Sequence, residues 1–327
     1  MSKDKPSLKP TRLRTHPHTT RSRLMLEVAS RLVERSRDFP YLQAKISLRE
    51  QGADDWPLTL FASDSPATIH DVAAGSVQFA IINPGMILKL AALGSAPFEK
   101  PIALRIIAVL PAHDQMVFAV RKELGLSSFR ELRERKVPLR LSLRAQRDHA
   151  LHIITNHVFK AAGFTLNDIA GWGGELRYDP GMAYGDNRIG AVHRSEIDAI
   201  FDEGASAWGN MALESDLTFL SLDDEMLSQL EKVGLRRGLL RRSYFTKLTA
   251  DVPTLDFSGW PIYTHASTPD SFVTDFCQAL DASKETIPWA HDQPLPLAQM
   301  VRDTDEGHLE VPLHPAAERY WREHGYL

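Results

Sequence analysis

The chain has 327 residues, of which 43% are hydrophobic and 24% are charged, the balance of a globular protein that buries a sizeable core. This length predicts two compact units rather than one small domain. The net charge of −4 excludes a broadly basic surface for nucleic acid or an anionic membrane. No apolar run approaches the ~18 residues that a membrane span needs, so we expect no membrane insertion.

The N-terminal segment, residues 1–23, is basic and polar. It lacks the apolar core of about 7–15 residues that a secretory signal peptide carries. As the sequence stands, we expect a cytoplasmic protein, whereas a true start further upstream would make it periplasmic. An alternating stretch over 11–15 predicts a short strand, and apolar residues at helical spacing over 24–33 predict a helix.

Strands and helices alternate along the rest of the chain. Strands are predicted over 44–48, 58–62, 79–82, 102–110, 116–120, 137–143, 197–201, 217–222 and 260–265. Helices are predicted over 67–74, from 127, over 149–162 and over 223–232, with two more after the last strand, and 171–190 is predicted as a loop. This pattern predicts an α/β fold of mostly parallel sheets flanked by helices, arranged as two lobes.

The sequence offers little for metal, cofactor or thiol chemistry. His16 and His18 form a closely spaced pair, but no further Cys or His lies at a recognised spacing, and a zinc site needs three or four ligands. Cys277 is the only cysteine, so no disulfide can form within the chain, and we expect a buried thiol. We therefore predict no metal and no cofactor.

The C-terminal segment, residues 310–325, contains a Pro-Leu-His-Pro step that leads into a short helix with Glu-Arg-Tyr. It resembles the C-terminal signature of the TAXI-type solute receptors, the ligand-catching subunits of one branch of TRAP transporters. Four other segments, over 73–82, 120–132, 161–169 and 197–201, are similar to segments of the same family. The resemblance implies a two-lobed fold of the type II periplasmic-binding-protein kind, with a hinge between the lobes.

The lobes implied by this resemblance are discontinuous. Residues 1–112 and 248–327 would form lobe 1, residues 113–247 would form lobe 2, and the ligand cleft would lie between them. Crossing strands near 110–120 and 215–250 would form the hinge. The family's glycine-rich ligand turns are replaced here by sequences that carry His, Arg and Asp.

Candidate ligand residues lie in turns that end strands and begin helices. In open α/β sheets ligands bind at this edge, where helix N-termini favour anions. The predicted ligand-binding residues are His16, His18, Thr19, Thr20, Arg21, Ser63, Ser65, Asn83, Arg144, Gln146, Arg147, His149, Glu203 and Trp208. Arginine recognises carboxylates in a bidentate manner, so we predict a small anionic ligand that bears a carboxylate. A solvated loop charge is the alternative for any single arginine.

Two functions fit this pattern. The first is a solute-binding protein that closes on its ligand and delivers it to TRAP membrane subunits. The alternative is a cytoplasmic enzyme on the same scaffold, such as a decarboxylase-like lyase that acts on an aromatic carboxylate. In the enzyme, His16, His18 and Glu203 would move protons. A cytoplasmic sensor that reports its ligand by lobe closure is a third reading.

Overall fold

The computed structural model describes residues 19–35, 41–49 and 57–327 of the chain. It divides into two units, Met1–Leu42 and Gln43–Leu327. In the first unit, the helix α1 (Thr20–Arg35) confirms the helical spacing predicted over 24–33. Its apolar side chains, such as Leu24, are exposed. The strand predicted over 11–15 lies outside the described residues.

All the described strands belong to the second unit. They are β1 (Ala44–Leu48), β2 (Leu58–Ala62), β3 (Phe79–Ile81), β4 (Leu104–Leu110), β5 (Val117–Arg121), β6 (Arg140–Arg144), β7 (Glu175–Asp179), β8 (Ala199–Asp202), β9 (Leu217–Phe219), β10 (Arg237–Leu240), β11 (Val252–Leu255) and β12 (Trp260–His265). The helices of this unit are α2 (Ala67–Ala73), α3 (Ile87–Leu93), α4 (Phe129–Glu134), α5 (Leu151–Ala161), α6 (Leu166–Gly171), α7 (Ala191–His193), α8 (Ala205–Glu214), α9 (Asp224–Lys232), α10 (Asp270–Ala282) and α11 (Pro315–Glu323).

The first sheet has the strand order β1-β2-β3-β12-β4. Strand β2 pairs in parallel with β3, whereas β12 pairs antiparallel with both β3 and β4. Strands β2, β3 and β4 therefore run in one direction, and β1 is an antiparallel edge strand. As a result, the turns that follow β2 and β3 emerge at the same edge of this sheet.

The second sheet has the strand order β7-β6-β8-β5-β9. Strand β6 pairs in parallel with β7 and β8. Strand β5 pairs antiparallel with β8 and β9. The residues that follow β6, β7 and β8 therefore lie together at one edge, where ligands bind in sheets of this kind.

The α/β class predicted from the sequence is confirmed, with helices flanking two sheets. The strand pairing is mixed, however, and not mostly parallel. Strands β5 and β12 are the antiparallel strands inside the sheets, and each follows a segment that crosses from the other sheet. A crossing strand enters its sheet from the opposite end, and hydrophobic periodicity carries no signal for strand direction.

Strand β7 corrects the prediction that residues 171–190 are a loop. It pairs in parallel with β6 along its whole length, at the edge of the second sheet. Its charged residues alternate with Leu176 and Tyr178, which is the two-residue period of a strand. Glycines immediately before it break the pattern and conceal this short element.

Two crossing segments run side by side between the sheets. Met116 N donates to Leu255 O at 3.0 Å, and Gln115 Nε2 donates to Asp256 Oδ1 at 2.7 Å. The second crossing comes later than the predicted 215–250, because the hairpin of β10 and β11 precedes it. The predicted lobe boundaries, 1–112 with 248–327 and 113–247, stay a prediction.

The C-terminal segment packs against the first sheet. His314 N donates to Ile106 O at 2.9 Å, and Trp321 Nε1 donates to Ile107 O at 2.9 Å. The residues that carry the family resemblance therefore hold α11 against β4. Cys277, on the neighbouring helix α10, is buried as predicted, and burial raises its pKa to about 12.

An aromatic cluster supports the second sheet. The rings of Phe118, Phe129, Phe159 and Phe201 are fully buried, with centroids 5.1 to 6.0 Å apart. Packed aromatic pairs stabilise a core beyond the area that they bury. Because Phe201 lies in β8, this cluster gives a rigid base to the residues that follow that strand.

Candidate functional site

Turns from both sheets meet at one cluster of polar side chains. Ala150 N, just before α5, donates to Asp64 O, in the turn after β2, at 2.8 Å. Asn83, in the turn after β3, donates from Nδ2 to Glu203 Oε1, after β8, at 3.0 Å. The predicted candidates Asn83 and Glu203 are thus brought together, each from the end of a strand in a different sheet.

Glu203 lies at the centre of this cluster. Its side chain is 5% exposed, and Oε1 lies 3.1 Å from Arg144 Nη1 and 3.4 Å from His149 Nε2. Its other oxygen, Oε2, is buried and has no partner. Burial, helped by the carboxyl groups of Asp114 and Asp202 and opposed by Arg144, raises the pKa of Glu203 to about 8.

Arg144 is held by carboxylates of its own chain. Its Nη2 donates to Asp202 Oδ1 at 2.7 Å, and Nη1 contacts Glu203. Burial opposes the charge of Arg144, but Asp202 and Glu203 outweigh burial and raise its pKa. Arg144, a predicted ligand residue, thus lies in the cluster, where it already has carboxylate partners.

Sequence reasoning missed Asp202 and Arg188, which form the fully buried base of the site. Arg188 Nη1 donates to Asp202 Oδ2, Nε donates to Ser142 Oγ at 3.1 Å, and Nη2 donates to Phe201 O at 3.1 Å. Burial opposes ionisation of Asp202, but Arg188 and Arg144 outweigh it and hold the pKa of Asp202 below its usual range. Asp202 directly follows the buried strand predicted over 197–201, which is the signal that could have identified it.

Asp114 is a further carboxyl group that the sequence prediction lacks. It lies on the crossing segment, and its Oδ1 accepts from the backbone N–H of Gly204 at 2.7 Å and of Ala205 at 3.3 Å. These groups begin α8, whose N-terminus favours a negative charge. Burial nevertheless raises the pKa of Asp114 to about 7.

His149 is a neutral, buried part of the cluster. Its Nδ1 accepts from Leu151 N at 3.0 Å, and its Nε2 lies 2.9 Å from Arg144 Nη1. Burial and the adjacent charge of Arg144 lower the pKa of His149 to about 3. A positive charge on this ring is therefore disfavoured, so His149 would not attract an anionic ligand by its charge.

The side chains of the two serines in the turn after β2 form hydrogen bonds within that turn. Ser63 Oγ accepts from Ser65 N at 3.1 Å, and Ser65 Oγ accepts from Ala67 N at 3.4 Å. Both residues are buried beside Asp64. Burial raises the pKa of Asp64 to about 6, although Arg144 opposes the shift.

Several other predicted ligand residues are outside the described residues, in the first unit or on the exposed surface. His16 and His18 fall outside the described residues. Thr19, Thr20 and Arg21 lie at the exposed start of α1 in the first unit. Arg147 is exposed and stacks on Tyr178, 3.3 Å from the ring centroid.

Trp208, predicted from the sequence to bind the ligand, is part of the core. Its side chain is 2% exposed, and its Nε1 donates to Glu203 O at 2.7 Å. Tryptophan buries a large apolar area and needs a partner for its N–H when it is buried. Here that partner is the backbone of the central carboxylate residue, so Trp208 positions Glu203.

Unpartnered buried oxygens surround the cluster. Asn83 Oδ1, Gln146 Oε1, Asp179 Oδ2 and Glu203 Oε2 are buried and have no hydrogen-bond partner. Each residue ends or closely follows a strand, β3, β6, β7 or β8. Buried acceptors are nearly always satisfied in folded proteins, so these oxygens are candidate contacts for a bound ligand.

Within the described ranges, no group of three or more His, Cys, Asp or Glu residues is arranged to hold a metal ion. No helix in the same part of the chain has the length and apolar character to cross a membrane.

A concavity with a volume of about 770 Å³ lies beside the crossing segments. Its lining includes Arg236, Arg237, Arg241 and Asp224. Arg236 pairs with Asp256 and Glu310, and Arg237 pairs with Asp224. This concavity lacks unpartnered buried side-chain oxygens among the residues that the structure describes, so it is the weaker candidate.

Comparison with solved structures gives distant similarities. The alkanesulfonate-binding protein SsuA from Xanthomonas axonopodis pv. citri, bound to MOPS, is 14% identical with a TM-score of 0.33, over 68% of this chain and 61% of that one. PhnD1 from Prochlorococcus marinus (MIT 9301), in complex with methylphosphonate, is 14% identical with a TM-score of 0.38, over 80% of this chain and 83% of that one. MatC from Rhodopseudomonas palustris, with bound malate, is 10% identical with a TM-score of 0.34, over 68% of this chain and 69% of that one. Similarity this low says nothing about the ligand of this chain.

The amino-acid sequence shows to which family the chain belongs. No curated protein matches the chain. Residues 62–325 match the NMT1-like family, a range that includes both sheets from the end of β2 onwards and every residue of the polar cluster. This chain belongs to the NMT1-like family.

Proposed function

We propose that this chain is a solute-binding protein that holds a small polar ligand where the turns after β2, β3, β6 and β8 meet. The observation that carries the proposal is the set of unpartnered buried oxygens at this edge, on Asn83, Gln146, Asp179 and Glu203. A buried polar atom without a partner is unfavourable by about 1–3 kcal/mol. A bound ligand would satisfy several such atoms at once.

The geometry around these oxygens suits ligand capture. The turns come from two sheets that are linked by paired crossing segments. The contacts between Ala150 and Asp64 and between Asn83 and Glu203 join those turns directly. A ligand seated among them would add contacts to both sides, which is how a hinged binding protein favours its closed state.

The carboxylate-bearing ligand predicted from the sequence remains a candidate within this proposal. Such a ligand would bind Arg144 in place of Glu203. The TRAP membrane subunits, as partners, and the TAXI-type assignment rest on the sequence resemblance alone. The cellular location stays a prediction from the N-terminal sequence.

The enzyme alternative depends on His16, His18 and Glu203. The two histidines lie outside the described residues. Among the described residues of the cluster, the histidine is His149, which is neutral and engaged at both ring nitrogens. Binding without conversion is therefore the function that we propose.

A thermal-shift screen with carboxylates and amines, followed by mass spectrometry after incubation with each hit, tests this proposal. We expect stabilisation by a small polar compound that is recovered unchanged. Turnover of the compound would contradict the proposal and support the enzyme. Absence of any stabilising compound in both classes would also contradict it.

A further inference from the structure

We propose that the ligand carries an ammonium group, which binds at Glu203 and Asn83. This inference rests on the proposed solute-binding function and names the ligand class that the site takes. It departs from the anionic ligand that the sequence predicts. The support comes from the unpartnered atoms, from the engaged cations and from the charge balance of the cluster.

When Glu203 is ionised, the unpartnered atoms of Asn83 and Glu203 are acceptors. Glu203 Oε1 lies 3.1 Å from Arg144 Nη1, so this oxygen is already an acceptor and Asn83 must face it with its N–H group. That arrangement leaves Asn83 Oδ1 and Glu203 Oε2 unpartnered. An ammonium group brings several N–H donors on one atom, which matches two acceptors on adjoining side chains.

The cationic side chains of the cluster already have carboxylate partners. Arg188 is fully buried and uses Nε, Nη1 and Nη2 on Ser142, Asp202 and Phe201. Arg144 contacts both Asp202 and Glu203. A carboxylate ligand would have to displace Glu203 from Arg144 and would leave that residue buried without its partner.

The charge balance also favours a cation. The cluster contains the carboxyl groups of Asp64, Asp114, Asp202 and Glu203, but its guanidinium groups are only those of Arg144 and Arg188. Buried carboxylates need a compensating charge. Burial raises the pKa values of Asp64, Asp114 and Glu203. Protonation of these carboxyl groups therefore reduces the negative charge of the cluster while no ligand is bound.

Ammonium and anionic ligands differ in the protons exchanged on binding and in how their affinity depends on pH. An ammonium group that binds Glu203 stabilises its carboxylate, so binding would release a proton and would tighten as the pH rises towards 8. The groups that face Glu203 are Arg144, His149, Asn83, Asp114, Asp202 and Asp64. His149 stays neutral across this range because its pKa is lowered to about 3. An anionic ligand would instead bind more tightly as the pH falls.

The test uses the full-length chain and matched probe pairs, benzylamine with benzoate and putrescine with succinate, within a library of primary amines and carboxylates. Thermal shift identifies the hits, and calorimetry at pH 7 in two buffers of different ionisation enthalpy counts the protons released. We expect amine hits, release of about one proton per ligand, and weakening by at least about tenfold in Glu203→Gln. Asp224→Asn, which alters the 770 Å³ concavity, is the matched control and should bind as the wild type does.

The outcomes separate the two proposals. Hits confined to carboxylates would overturn the ammonium inference and leave the solute-binding function standing. Amine binding that survives Glu203→Gln but is lost in Asp224→Asn would place the ligand in the 770 Å³ concavity and overturn the inference. A library without any hit would overturn both proposals. Glu203→Gln keeps the size of the side chain, and its folding is checked by circular dichroism.

Discussion

At the scale of single residues, Arg188 is a fully buried charge of the candidate site. Breaking a buried ion pair by removing one partner leaves an uncompensated charge and lowers the free energy of unfolding by about 3–5 kcal/mol. Arg188 pairs with Asp202 at 0% exposure of both side chains. We therefore expect Arg188→Met to lose about that much stability in chemical denaturation.

The matched control for this prediction is Arg194→Met. Arg194 pairs with Asp186 and Glu196, but its side chain is 43% exposed, and exposed pairs contribute little because water and salt screen them. The control should unfold close to the wild-type denaturant midpoint. Equal losses in the two variants would contradict the role of burial.

Glu203 makes stability depend on pH. Its pKa rises from an ordinary value of 4.5 to about 8, so between these values the folded chain binds more protons than the unfolded chain. The contribution of Glu203 to the free energy of unfolding therefore falls as the pH rises through this window. At pH 8 we expect Glu203→Gln to be more stable than the wild type, by an amount on the order of a few kcal/mol.

Denaturation midpoints measured from pH 5 to pH 8.5 check this prediction. The stability of Glu203→Gln should fall less steeply than that of the wild type, and the remaining slope should come from Asp64 and Asp114, whose pKa values are also raised. Glu196→Gln, at an exposed ion pair, should keep the wild-type slope. An unchanged slope in Glu203→Gln would show that Glu203 is ionised in the folded chain.

The sequence identifies only part of the site at this scale. Asn83, Arg144 and Glu203 are found because polar residues that follow predicted strands are expected at the ligand edge. Arg188 and Asp114 are missed because one lies in a stretch predicted as loop and the other on a crossing segment. Their roles depend on tertiary contacts that no local pattern encodes.

Helix α8 depends on a residue outside itself. Asp114 on the crossing segment accepts from the N–H groups of Gly204 and Ala205. Those groups otherwise have no intrahelical partner. We expect Asp114→Ala to lower the free energy of unfolding by about 1–3 kcal/mol and to speed amide exchange at Gly204 and Ala205.

Asp223→Ala provides the comparison for α9. Asp223 caps its own helix, with Oδ1 accepting from Met226 N at 2.9 Å, and loss of such a cap costs about 0.5–2 kcal/mol. Faster exchange in this variant should be confined to the start of α9. Unchanged exchange at Gly204 in Asp114→Ala would contradict the link between the crossing segment and α8.

Elements with a strong local pattern are predicted well. Strands β1, β2 and β12 have the predicted bounds, 44–48, 58–62 and 260–265, because apolar or β-branched residues lie between clear turn signals. Strand β7 is not predicted, because its charged residues and the glycines before it are typical of a loop. Strands β5 and β12 are antiparallel to their neighbours because the chain crosses from one sheet to the other before each of them. Hydrophobic periodicity does not indicate the direction in which a strand runs.

For the molecule as a whole, the α/β class and the membership of the NMT1-like family fix the scaffold but leave the ligand to the site. In this scaffold the turns of two sheets meet at Asp64, Asn83, Ala150 and Glu203. Backbone amides at this junction should report ligand binding, because local opening exposes them to exchange.

Hydrogen exchange with and without the tightest-binding hit therefore tests the central claim most directly. We expect the ligand to slow exchange at Ala150, which donates to Asp64 O, and at Gly204, while the segment that lines the 770 Å³ concavity, residues 236–241, keeps its rate. Protection confined to residues 236–241, with no change at Ala150 and Gly204, would contradict the account.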